Sequence, residues 1–240
     1  MSRISDRLER IEENIAAACV RADRSVGEVK MVVVTKTVPP ASVKEVIELG
    51  YTELGENHVQ RLKQLAGEVA ELLGEANGGV DGPKRVHWHM IGHLQRNKVR
   101  QVLKFSSIIH SVDTLRLAEE IDTTAGKLDI KPDILLQVNC SGEPQKYGVP
   151  VGAATHLAEQ FAGMDNLRLV GLMTMAPLTR DKDVVRACFL RAKELFEEIK
   201  SGRLAGSAFS QLSMGMSQDY EIAVEEGATI LRVGSAIFAG

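Results

Sequence analysis

The sequence predicts a (β/α)₈ TIM barrel with an extra N-terminal helix. Three observations carry this. Apolar, β-branched runs alternate with helical stretches along the chain, which implies parallel pairing and right-handed crossovers. Eight such units fit in about 210 residues, the size of a closed barrel. No Gly-x-Gly-x-x-Gly opens the first unit and no linker divides the chain, which disfavours an open doubly wound sheet. A single domain over 1–240 is expected.

Each element has its own signal. Ile4, Leu8, Ile11 and Ile15 recur at helical spacing among Arg and Glu, predicting an amphipathic helix over 3–22. Met31 to Thr35 is the continuous run of a strand buried on both faces. Pro39-Pro40 breaks the chain, and a helix follows to Leu49-Gly50. Tyr51 to Gly55 is a short strand, and a helix over 57–73 ends in a loop from Asn77 to Pro83. Strands at Val86–Ile91 and Ser107–Ser111 precede helices at Gln95–Lys104 and Thr114–Gly126. Ile134–Val138 is a clear strand, with a loop to Pro150 and a helix to about Met164. Leu167–Met173 and Asp181–Lys200 form the next strand and helix. Ala208–Leu212 is a weak strand, Ser217–Glu226 a helix, and Thr229–Val233 the last strand.

Composition narrows the class. Of 240 residues 44% are hydrophobic and 25% charged, too apolar for bulk disorder. The net charge of -3 gives no support to a nucleic-acid surface. No apolar run approaches the roughly 20 residues of a membrane helix. Met1 to Arg10 is charged throughout, unlike a secretory signal. Cys19, Cys140 and Cys188 are odd in number and lack zinc-ligand spacing, so a reducing cytoplasm is expected.

A barrel carries its site at the C-terminal ends of its strands. Lys36 follows the first strand and is expected at the mouth, partly desolvated. Desolvation disfavours the ammonium and favours Schiff-base chemistry with aldehydes, including pyridoxal phosphate (PLP). The plainer reading is a lysine escaping to solvent. Ser213-Met214-Gly215-Met216-Ser217 and Gly234-Ser235 follow the last two strands, where barrels often hold phosphate. The plainer reading is ordinary turn chemistry with Ser217 as an N-cap. Arg232, inside the last strand, needs either a carboxylate such as Glu53 or Glu56, or an electron-rich ligand atom such as a pyridine nitrogen. His87, His89 and His93 share a face only if one strand runs through all three, which is a weak zinc signal. A hydrogen-bonded His89 inside the barrel and an exposed His87 is the simpler view. Arg96, Arg100 and Lys104 form a basic stripe if one helix carries them, ordinarily a solvated face. Cys140 is expected to be a buried, inert thiol.

Several longer segments resemble one family. Val34-Thr35-Lys36-Thr37-Val38-Pro39, Gly55-Glu56-Asn57, Trp88 to Lys98 and His110-Ser111-Val112-Asp113 are similar to motifs of the YggS/PROSC family, the PLP homeostasis proteins. So are Val138-Asn139 with Ser141-Gly142-Glu143, Gly171 to Pro177, Leu212 to Ser217, and Arg232 to Phe238. The resemblance spans nearly the whole chain in order. It implies an alanine racemase N-terminal-domain-like barrel with PLP on Lys36 and Arg232 facing the pyridine nitrogen. It also implies Ser213, Gly234 and Ser235 at the phosphate with Met214 and Ser217 nearby, and Asn57, His89 and Met173 lining the ring. Cys140 stands where an aliphatic or hydroxyl residue is expected, and the basic tail usual after the terminal motif is short or absent.

The function expected is a cytoplasmic PLP-binding protein acting in vitamin B6 homeostasis without established catalysis. Its expected partners are PLP, amino acids and PLP-dependent enzymes, with no nucleic acid, membrane or metal, and a monomer is expected. The alternative is a low-activity PLP-dependent amino-acid racemase, with Tyr147 on the loop after the fifth strand reaching the site. A two-base racemase needs a group opposite the lysine, which alanine racemase draws from a second domain. No such extension follows here, so the mouth is expected to stay open to water. A cofactor-free structural or RNA-associated barrel is the remote third option.

Overall fold

The N-terminal helix α1 (Arg3–Arg21) buries Leu8, Ile11, Ile15, Ala18 and Cys19, the stripe that its helical spacing sets aside. This is a computed structural model that describes residues 3–73 and 86–239, so the loop expected from Asn77 to Pro83 lies outside them. Eight parallel strands close the barrel: β1 (Lys30–Val34), β2 (Glu53–Glu56), β3 (His87–Met90), β4 (Ser106–Val112), β5 (Asp133–Asn139), β7 (Arg168–Met173), β8 (Gln211–Ser213) and β9 (Ile230–Val233). The two-residue strand β6 (Val149–Pro150) only flanks the end of β5. Closure rests on β1 against β9, with Lys30 opposite Ile230 and Val33 opposite Val233, and on β4 against β5.

The crossover helices are α2 (Pro40–Glu48), α3 (Val59–Leu72), α4 (Val99–Val102), α5 (Leu115–Leu128), α6 (Val151–Ala162), α7 (Lys182–Ser201) and α8 (Tyr220–Glu225), with α9 (Ser235–Phe238) last. Pro39-Pro40 starts a helix rather than only breaking the chain. Pro39 is the N-cap and Pro40 opens α2, where a missing N–H costs nothing. Thr114 caps α5 by accepting from Leu117 N–H, and Asp181 caps α7 by accepting from Asp183 and Val184.

Three predicted elements differ. The helix expected over Gln95–Lys104 is a 3₁₀ turn, Arg96–Lys98, and then the single turn α4, because turn bonds such as Phe105 N–H to Val102 O end it. Arg96, Arg100 and Lys104 are exposed but do not share one regular helix face. The weak strand begins at Gln211, where pairing with Gly171 starts. The helix expected from Ser217 begins at Tyr220, because Asp219 Oδ1 first accepts Met216 N–H in a turn.

One apolar shell fills the space between strands and helices. Inside the barrel a separate small cluster joins Ile108, Leu135, Val170 and Met173. Buried hydrogen-bonded polar side chains share that interior, and the barrel opens into a cavity at each end. Helix α1 braces the last two βα units from outside: Arg7 donates to the Ile237 carbonyl, Asn14 to the Tyr220 hydroxyl, and Arg21 pairs with Glu221 and Glu225.

Candidate functional site

Strand β1 ends at Val34, but Thr35 continues the ladder by donating its N–H to Gly55 O. Its hydroxyl donates to Glu56 Oε1 at 2.7 Å. Glu56 is fully buried, and burial pushes its carboxyl up against the bond from Thr35. Its second oxygen has no hydrogen-bond partner. Lys36 follows, and Thr37 sits at φ +64°, a left-handed conformation unusual for a β-branched residue and of the kind found at functional sites. Lys36 is exposed rather than partly desolvated, since the ladder ends at Thr35.

Lys36 borders a cavity of about 740 Å³ at the C-terminal ends of the strands. Of the residues expected there, Asn57, Ser217, Arg232, Gly234 and Ser235 also line it. Gly92 fixes the Asn57 wall. A Cβ at position 92 would stand 2.1 Å from the Asn57 carbonyl oxygen, so only glycine lets the two segments touch. The turn after β8 has a similar demand. Gly215 holds φ +90°, and a Cβ there would meet the Ala223 methyl at 2.5 Å. This turn delivers Ser217, whose hydroxyl oxygen accepts N–H groups from Gly234 at 3.2 Å and Ala236 at 3.1 Å. The turns after β8 and β9 are thereby tied into one concave, small-residue wall.

Four residues expected at the ligand do not line this cavity. Ser213 is fully buried below the cavity, its hydroxyl held between His110 and Arg232. Met173 belongs to the apolar cluster inside the barrel, and Met214 is in the shell outside it. His89 is hydrogen-bonded within the barrel, as the simpler reading has it, and lines the lower cavity instead of the ring pocket that the resemblance implies. His87 lines that lower cavity too and is half-buried rather than exposed. His93 sits at the upper mouth, 3.6 Å from Asp113, so the three histidines do not converge on a metal.

The sequence reading missed Gln137 and Asp219, and it did not place His93 at this site. Gln137 donates to the Tyr147 carbonyl, and Tyr147 stacks on His93 with centroids 4.2 Å apart. All of these line the upper cavity. The polar Gln137 inside the run Ile134–Val138 was the available signal.

Arg232 is 4% exposed and its hydrogen bonds go to neutral groups: Nη1 to Ser213 Oγ at 2.5 Å, Nη2 to Thr174 O at 2.9 Å. The carboxylate partner weighed from sequence is not Glu53 or Glu56. Burial pushes the guanidinium down to about 10, while the charge of Asp219 opposes that shift. From Ser213 the hydrogen bonds continue downward. Ser213 Oγ meets His110 Nδ1 at 2.9 Å, His110 Nε2 meets His89 Nδ1 at 2.8 Å, and His89 Nε2 meets Glu53 Oε2 at 2.6 Å. Burial lowers the basicity of both imidazoles, of His110 most. Burial pushes Glu53 up, but the bond from His89 and the charges near it hold its carboxyl low. Glu53 Oε1 accepts from Lys30 at 3.1 Å in the lower cavity of about 390 Å³.

The family model for the alanine racemase N-terminal domain matches residues 7–240. A protein of Aquifex aeolicus named pyridoxal phosphate homeostasis protein is 37% identical over 97% of this chain and 96% of its own. A structure of an unknown protein from Bifidobacterium adolescentis is 36% identical, with a TM-score of 0.91, covering 98% of this chain and 94% of that one. PipY of Synechococcus elongatus, solved with PLP bound, is 32% identical with a TM-score of 0.79 over 95% and 99% of the two chains. On the full-length match and the shared barrel, the chain belongs to the pyridoxal phosphate homeostasis protein family, built on the alanine racemase N-terminal domain.

Proposed function

We propose that this chain binds PLP as a Schiff base on Lys36 through a single barrel domain, and serves PLP homeostasis without catalysing turnover. The observation that carries the reading is one cavity bordered by an accessible lysine, a buried guanidinium and a small-residue wall. These residues fit the group. Among the described residues the hydrogen bonds of Arg232 go to neutral acceptors, and the carboxylate of Asp219 acts on it through its charge alone. The naming of the Aquifex aeolicus relative and the PLP-bound PipY structure support the same reading.

PLP supplies an aldehyde, an electron-withdrawing ring and a dianionic phosphate. The Lys36 amine attacks the aldehyde carbon, and the carbonyl oxygen leaves as water when the imine forms. Arg232 donates to the ring nitrogen and, as a cation, keeps that nitrogen unprotonated, which weakens the ring as an electron sink. Weak electron withdrawal suits a carrier better than a catalyst. Ser217, Gly234 and Ser235 receive the phosphate, and Asn57 borders the ring. The three cysteines are free and buried, which suits the reducing cytoplasm. Among the described residues no helix is long and apolar enough to cross a membrane. PLP-dependent enzymes and amino acids are the recipients this reading names, with the chain acting as a monomer.

A second reading, slow amino-acid racemisation, is favoured by Tyr147, which lines the same cavity as Lys36. Turnover of several amino acids that is lost in both Lys36→Ala and Tyr147→Phe would replace the carrier reading.

The test is an absorbance spectrum before and after borohydride reduction, with intact mass. A visible imine band, fixed as one pyridoxyl group on wild type and absent from Lys36→Ala, is the expected result. No band after adding PLP overturns the proposal.

A further inference from the structure

The mechanism above uses Arg232 but not the four side chains behind it. Glu53, His89, His110 and Ser213 come from β2, β3, β4 and β8 and meet inside the barrel. Their contacts of 2.6, 2.8 and 2.9 Å, followed by 2.5 Å to Arg232, form an unbroken line from the lower cavity to the floor of the upper one. His89, His110, Ser213 and Arg232 are each at most 4% exposed.

Donor and acceptor chemistry gives this line one direction. Arg232 has only N–H donors, so the Ser213 oxygen accepts from it. The Glu53 carboxylate has only acceptors, so His89 donates from Nε2. A neutral His89 accepts at Nδ1 from His110 Nε2–H, and a neutral His110 accepts the Ser213 proton at Nδ1. A terminal donor and a terminal acceptor thus fix the hydroxyl and both tautomers between them. Neutral imidazoles are what their burial favours.

We propose that Glu53, His89, His110 and Ser213 are positioning residues that hold the Arg232 guanidinium for the ring nitrogen of PLP, and that the line is anchored from the opposite mouth of the barrel by the Glu53 carboxylate. This rests on the PLP reading above. Removing the Glu53 acceptor frees the His89 Nε2 proton. A His89 that moves its proton to Nδ1 then confronts the His110 Nε2–H, and the mismatch passes up to Ser213 and Arg232.

The consequence is a long-range effect confined to ligands with a ring nitrogen. Two arms test it. In PLP-free protein, nitrogen-15 NMR of the imidazoles is expected to show His89 and His110 neutral, each protonated on Nε2, with His89 disturbed in Glu53→Leu. Either histidine protonated on Nδ1 or doubly protonated in wild type at pH 7.5 overturns the direction assigned to the line.

In the second arm PLP and 1-deaza-PLP, in which C–H replaces the ring nitrogen, are titrated into wild type, Glu53→Gln and Glu53→Leu. Glu53→Leu is expected to weaken PLP roughly two- to tenfold, the range of one net hydrogen bond, and to leave 1-deaza-PLP unchanged. Glu53→Gln, which keeps an acceptor oxygen, is expected to restore most of the loss. Equal losses for both ligands, or none for PLP, overturn the positioning role. Wild type that binds neither ligand overturns the PLP reading itself, whatever the imidazoles show.

Discussion

Gly92 approaches Asn57 so closely that a side-chain methyl would stand 2.1 Å from the Asn57 carbonyl oxygen and 2.7 Å from its Cα. Backbone atoms cannot swing aside as the end of a flexible side chain can. The segments after β2 and β3 must therefore separate if any other residue replaces the glycine. Gly92→Ala is expected to destabilise the fold by about 1–3 kcal/mol, the usual range for overpacking. It should also weaken PLP, because Asn57 borders the proposed site. Urea unfolding and a PLP titration measure the two effects, and wild-type values in both would remove the constraint.

Arg232→Ala separates the covalent from the non-covalent part of the site. Lys36 and Arg232 line the same cavity from different strand ends, so the imine should still form without the guanidinium. PLP affinity is expected to fall by roughly ten- to a hundredfold, the range of a hydrogen bond from a charged donor. The substitution also leaves Ser213 Oγ and Thr174 O without their donor, so some loss of stability accompanies it. Borohydride should still trap one pyridoxyl group at saturating PLP, and failure to trap it would assign Arg232 a larger role.

The wall formed by Ser217, Gly234 and Ser235 makes a charge test possible. Ser235 is exposed at the start of α9, so a longer side chain there has room without disturbing the core. Ser235→Glu sets a carboxylate against the phosphate dianion, a repulsion of about 1 kcal/mol in full solvent and several where water is excluded. The variant should lose at least about fivefold in PLP affinity, and the loss should shrink with added salt. Pyridoxal, which has no phosphate, should bind both proteins alike. Pyridoxal binding wild type as tightly as PLP would refute this wall as the phosphate site.

The barrel was legible because strand and helix alternate with few exceptions, and Lys36 because a lysine directly after Met31–Thr35 has to meet the mouth. Depth inside the barrel was not legible. Ser213 closes β8 and reads as a ligand of the cup, yet it sits level with Met173 of β7 and turns its hydroxyl to His110. Period-2 alternation directs His89 inward without saying which cavity it meets, and its partner Glu53 decides that. Tyr147 reaches the cavity from the loop after β5, as its position in the chain suggests, but Gln137, His93 and Asp219 join it from three other segments, a convergence that no local pattern encodes. The overlong helix at Gln95–Lys104 shows the opposite error, since spacing persisted where turn bonds had ended the helix.

The two buried imidazoles make stability fall on mild acidification. In the unfolded chain His89 and His110 titrate near the ordinary 6.5, whereas in the folded barrel burial holds both below it. Between the folded and unfolded values the unfolded state binds more protons, so stability rises with pH there. The contribution of the neutral imidazoles is therefore complete above about pH 6.5 and is lost as pH falls below it. Each histidine contributes a slope approaching about 1.4 kcal/mol per pH unit at 25 °C. The Glu53 carboxyl does not mask this, because it is held below its ordinary 4.5 and loses its contribution only at lower pH. Urea midpoints should drop between pH 7 and pH 5.5, and His110→Gln should flatten the slope while lowering the starting stability. Glu56, whose carboxyl burial pushes up, works in the opposite direction by taking up a proton in the folded barrel. The reading is therefore the difference between wild type and variant: a slope that His110→Gln leaves unchanged would mean that this imidazole accepts a proton inside the folded barrel, contrary to the tautomer that its hydrogen bonds require.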